Sequence, residues 1–78
     1  LMLGDSMNDK QERFTRVATR RTNAVLKSLQ VLGNCSNRSA YAYTKQDINK
    51  IFGEIERVTK ETKMRFILAS NKNKEFKL

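Results

Sequence analysis

Thr44-Lys45-Gln46-Asp47-Ile48-Asn49-Lys50-Ile51-Phe52-Gly53-Glu54-Ile55-Glu56-Arg57-Val58-Thr59 is the stretch whose reading decides the fold. It opens on a hydroxyl residue followed three positions later by an acid. That is a variant capping box, with Asp47 where Glu or Gln is usual. Ile48, Ile51, Phe52, Ile55, Val58 and Thr59 then recur at intervals that suit one helical face, and Thr62, Phe66 and Ala69 continue it. All nine fall within about a third of the helical wheel. The spacing predicts an amphipathic helix over residues 45–70. On its polar side Glu56/Lys60 and Glu61/Arg65 stand four apart, where each pair contributes ~0.2–0.5 kcal/mol.

Upstream lies Gly33-Asn34-Cys35-Ser36-Asn37-Arg38-Ser39-Ala40-Tyr41-Ala42-Tyr43. This stretch is too rich in Ser and Asn for a helix interior and too long for a minimal turn. Tyr41 and Tyr43 are expected to close the end of the hairpin, with base stacking as the alternative. Before it, Phe14, Ala18, Val25, Leu29 and Leu32 fall on one helical face with Thr22 beside them, which predicts a helix over residues 8–32. Asn8 or Asp9 is expected to cap its start. Asp9 and Glu12 put negative charge where the helix dipole favours it, and Gly33-Asn34 offers a left-handed C-cap.

The expected fold is therefore all-α, an antiparallel helical hairpin. Its single apolar seam is small for a lone chain, so two hairpins are expected to associate as a homodimer, a four-helix bundle. The residues expected in that oligomer core are Phe14, Val25, Leu29, Ile48, Ile51, Phe52, Ile55, Val58 and Phe66. Residues 7–71 form the single domain in this reading. Residues 1–6 read as an extension ahead of a natural start at Met7, and residues 72–78 as a basic flexible tail.

Charge supplies the functional signal. Sixteen Lys and Arg against eight Asp and Glu give 78 residues a net charge of +8. The excess is localised: residues 13–46 hold Arg13, Arg16, Arg20, Arg21, Lys27, Arg38 and Lys45 with no acid, a block of +7. Arg13, Arg16, Arg20 and Lys27 share about 60° of the first helix, away from its apolar face, with Arg21 and Lys10 on the flank. Uncompensated bases repel one another unless an anion is bound, and guanidinium forks match phosphate oxygens. A solvated face and an anionic membrane surface are the competing readings. The membrane is disfavoured because the apolar faces are needed for packing.

Several classes are excluded. With no His and one cysteine, Cys35, the chain holds no Cys/His zinc set, disulfide framework or His-assisted nucleophile. Cys35 reads as a small packing residue. Carboxylate pairs such as Glu54/Glu56 lie too far round the wheel to share acid–base work, and the isolated glycines form no phosphate-binding loop. The longest apolar run, residues 66–69, is far short of a membrane span. No enzyme activity, cofactor, metal or small-molecule substrate is expected.

Arg13-Phe14, Arg20-Arg21-Thr22-Asn23, Leu32-Gly33-Asn34-Cys35-Ser36-Asn37-Arg38, Tyr41-Ala42-Tyr43-Thr44 and Ile51-Phe52 together resemble a family of small basic proteins from Gram-positive bacteria and their plasmids and transferable elements. The resemblance carries no activity with it. It implies a bacterial cytoplasmic setting, as an accessory of a mobile genetic element, where DNA is a common partner. The expected function is non-enzymatic nucleic-acid binding, DNA favoured over RNA, through Arg13, Arg16, Arg20, Arg21, Lys27 and Arg38. The alternative is an interaction or assembly module that docks on an acidic protein.

Overall fold

The computed structural model describes residues 5–71, and the side chains of residues 9–70 within them. It is all-helical. Helix α1 spans Asp5–Gly33, a short 3₁₀ turn spans Asn34–Ser36, and helix α2 spans Lys45–Asn71. No strand occurs among the described residues. The chain divides into two units, Leu1–Tyr41 and Ala42–Leu78, each built on one long helix. The expected tail, residues 72–78, and residues 1–4 of the expected upstream extension lie outside the described residues.

The two-helix reading holds, with corrections at the ends of α1. The helix starts at Asp5, three residues before the expected boundary. Asn8 and Asp9 therefore lie inside it and cap nothing. Residues 5–8 contain neither Pro nor Gly, so a helix nucleated downstream extends through them at little cost. The other end differs too. Gly33 has φ −59° and ψ −23°, ordinary right-handed helix rather than the left-handed cap expected. The chain tightens instead into the 3₁₀ turn, which satisfies terminal carbonyls through shorter-range bonds.

The connection then organises around one side chain. Asn37 is extended (φ −69°, ψ 105°), and its N–H donates to the Asn34 carbonyl at 3.4 Å. Its own carbonyl accepts from the N–H groups of Ala40 (3.1 Å) and Tyr41 (3.0 Å). Its Oδ1 accepts from the Ser39 N–H at 3.0 Å, an Asx turn. The segment is thus locally satisfied, as its Asn and Ser content suits. Tyr43 is half-buried, whereas Tyr41 stays 53% exposed.

The start of α2 is the capping box read from the sequence. The Thr44 N–H donates to Asp47 Oδ2 at 2.8 Å, and the Asp47 N–H donates to Thr44 Oγ1 at 3.0 Å. Two backbone donors that the helix leaves unpaired are satisfied reciprocally. Among the described residues no side chain is fully buried. Val17, Ala18 and Leu32 on α1, and Ile48 and Ile55 on α2, are half-buried, while Phe14, Val25, Phe52 and Phe66 are exposed.

Candidate functional site

The basic stripe is a property of α1 alone. Arg13, Arg16, Arg20 and Lys27 lie on one continuous helix, so their spacing is fixed by helix geometry rather than by loop conformation. The row runs about 21 Å along the axis and occupies about 60° of arc. All four side chains are exposed. Arg21 is about 100° round the helix from Arg20. It flanks the apolar face and does not join the row. Arg38 sits in the connection and is also exposed. Of the six bases expected to form the site, four are brought together by α1 itself.

Their lack of acidic partners is a geometric fact as well as a count. Asp9 and Glu12 stand four residues before Arg13 and Arg16, a spacing that permits ion pairs. Among the described residues neither carboxylate pairs with them, and Arg20, Arg21 and Lys27 have no carboxylate partner either. The row presents unneutralised guanidinium and ammonium groups to solvent.

Helix α2 is the internal contrast. Arg57 donates through Nε to Glu54 Oε1 at 3.2 Å and through Nη2 to Glu54 Oε2, while Nη1 donates to Glu61 Oε2 at 2.7 Å. Hydrogen bonding and charge from Arg57 hold the Glu54 carboxyl below its ordinary value, and the two carboxylates raise Arg57. The sequence reading expected Glu56/Lys60 and Glu61/Arg65. The planar fork of Arg57 reaches one acid three residues back and another four residues on, and so takes Glu61 from Arg65. Glu54-x-x-Arg57-x-x-x-Glu61 was the available signal.

Two apolar features adjoin these charges. An open groove runs along α1 between Phe14, Thr15, Ala18, Thr19, Thr22 and Asn23. Its small side chains leave room for knobs from a neighbouring helix. At the end of α2, Met64, Ile67 and Leu68 lie outside the expected apolar arc and are exposed, with Phe66 on the arc itself. Residues 66–69 are apolar all round the helix. Among the described residues no helix is long and apolar enough to cross a membrane, and no group of three or more Asp, Glu or Cys side chains is placed to hold a metal ion.

No protein-family model matches the chain, and comparison with curated proteins and with solved structures returns no match, so the reading of this site rests on its own residues.

Proposed function

We propose that this chain is a non-enzymatic, self-associating helical protein that binds nucleic acid, with DNA the favoured form, in the bacterial cytoplasm. The observation that carries the reading is the exposed row of Arg13, Arg16, Arg20 and Lys27, unpaired with any described carboxylate, at the centre of an acid-free +7 block. Arg21 and Arg38 add charge beside it. Such a row follows a phosphate backbone without reading bases, because its side chains meet charge rather than donor–acceptor patterns.

In this reading α1 and α2 pack antiparallel as a hairpin, and two hairpins form a four-helix bundle. Phe14, Val25, Leu29, Ile48, Ile51, Phe52, Ile55, Val58 and Phe66 supply the core. Seven of them are exposed in the single chain, with Ile48 and Ile55 half-buried, which supports it, since a face of this size is normally covered. Titrating a duplex with the protein at increasing salt tests the function. Four to five phosphate contacts give log affinity against log salt a slope of about −4. Absence of binding at low salt, or binding indifferent to salt, overturns it.

The exposed apolar groups favour one second reading, a module that docks on an acidic protein partner. Capture after nuclease treatment separates the two, because only a protein partner is retained.

A further inference from the structure

Beside its basic stripe, helix α1 carries a line of short apolar side chains. Val17, Ala24 and Val31 stand seven residues apart, so each step drifts by only about 20°. The line runs about 21 Å along the helix and lies about 100° round it from the face of Phe14, Ala18, Val25, Leu29 and Leu32. Long basic side chains border it on both sides. Arg13, Arg20 and Lys27 repeat the same seven-residue spacing about 50° to one side, with Arg16 further round. Arg21 stands about 50° to the other side, and the hydroxyl of Ser28 follows it seven residues later. Val17 is half-buried, while Ala24, Val31 and all five of these bases are exposed.

A short uncharged centre between two basic borders is the cross-section that one kind of polyanion requires. The major groove of B-form DNA is about 12 Å wide, room for an α-helix about 10–12 Å across, and a phosphate backbone forms each wall. A helix lying there needs short side chains toward the floor and long cations toward both walls. One phosphate strand alone would meet the border of Arg13, Arg20 and Lys27 and leave Arg21 without a role. The floor suits the centre line as well, because the C5-methyl of thymine projects into this groove and accepts apolar contact from small side chains. Other nucleic acids fit less well. The major groove of A-form RNA is too deep and narrow for side chains to read. Single strands are held largely by stacking on aromatic rings, and the arc of α1 from Arg16 through Ala24 to Arg21 has none among the described residues.

We propose that α1 seats in the major groove of duplex DNA, with Val17, Ala24 and Val31 toward the base pairs. Arg13, Arg16, Arg20 and Lys27 then lie on the phosphates of one strand, and Arg21 lies on those of the other. This seating rests on the nucleic-acid reading and adds to it a groove, an orientation and a second strand. It uses α1 alone. Ala24, at the middle of the line, sets how closely the helix approaches the floor, and so whether both borders reach their walls together.

Dimethyl sulfate tests the seating on the full chain, saturating a mixed-sequence duplex at low salt. The reagent methylates guanine N7 in the major groove and adenine N3 in the minor groove, so it reports which groove is occupied. Guanine N7 is expected to be protected and adenine N3 to stay reactive. Protection of adenine N3 alone, or of neither atom, overturns the seating. Two variants bear on the orientation. Ala24→Leu keeps a strong helix former but lifts the helix from the floor, and is expected to weaken duplex binding about tenfold with helicity by circular dichroism unchanged. A stripe lying along one backbone would not feel that change, so equal affinity counts against the seating. Arg21→Ala is expected to reduce the salt slope by about 1, because it removes the contact to the second strand. An unchanged slope removes that strand and overturns the seating too. If the wild type binds duplex with the expected salt dependence while guanine N7 stays reactive, the seating falls and the nucleic-acid function stands. If it binds no duplex at low salt, both fall.

Discussion

At the level of single residues, the best-defined interactions are those of Thr44, Asp47 and Arg57. Thr44→Ala removes the hydroxyl that accepts from the Asp47 N–H and is expected to cost about 1 kcal/mol. Helicity measured by circular dichroism during urea unfolding checks it, and Thr44→Ser should retain most of the stability. Gly53 is the opposite case. It lies inside α2, and a Cβ built there meets nothing within 4 Å. Gly53→Ala is therefore expected to stabilise by about 0.5–1 kcal/mol, read as a raised unfolding midpoint. A loss on this substitution would mean that a neighbouring chain fills the space beside Gly53. The cap at Thr44 was legible because its signature is local: two residue types at fixed spacing. The end of α1 was not. Gly33 permits a left-handed cap, but permission does not fix conformation, and the bonds gathered by Asn37 determine the path instead.

At the level of the helices, periodicity gave α1 and α2 to within three residues at each end, because a repeated apolar face is a signal summed over many positions. The details of charge pairing were less readable. Spacing allows Asp9–Arg13, Glu12–Arg16, Glu56–Lys60 and Glu61–Arg65, yet the pairs formed are Arg57 with Glu54 and Glu61. Exposed ion pairs differ by fractions of a kcal/mol, less than the cost of fixing long side chains, so spacing alone does not rank them. The Glu54 carboxyl is held down by Arg57, which fixes the sign of a pH effect. A carboxyl depressed in the folded state contributes stability above its unfolded value and loses it as pH falls through the folded value. Acidification through and below the usual carboxylate range is expected to lower α2 helicity, and Arg57→Gln should flatten that part of the profile. Equal acid sensitivity with and without Arg57 would contradict the assignment. The four bases of α1 belong to this scale as well. Arg20→Ala should reduce the salt slope of duplex binding by about 1.

For the whole molecule the question is how a chain with no fully buried side chain among its described residues sustains two long helices. Helices of 29 and 27 residues exceed the length at which isolated segments become marginal, but most helical stability in proteins comes from packing an apolar face. The apolar face of α2 and the charged stripe of α1 lie on different helices, so association and nucleic-acid binding should be separable by substitution. Ile55 is half-buried at the centre of the apolar face of α2. Ile55→Asp places a carboxylate where the proposed bundle excludes water, and is expected to cost about 3 kcal/mol and to abolish self-association. Arg16→Glu with Arg20→Glu changes the charge of the stripe by four per chain while leaving that face intact. It is expected to preserve the oligomer and to eliminate duplex binding at moderate salt. Sedimentation and thermal unfolding across a concentration series distinguish the two effects, because the unfolding temperature of an associating protein rises with concentration. Wild type and the double arginine variant should show that rise, and Ile55→Asp should not. If wild type melts at the same temperature at every concentration, the two helices are sustained within one chain and the bundle is wrong, while the stripe remains exposed and its affinity for phosphate stands on the salt titration alone.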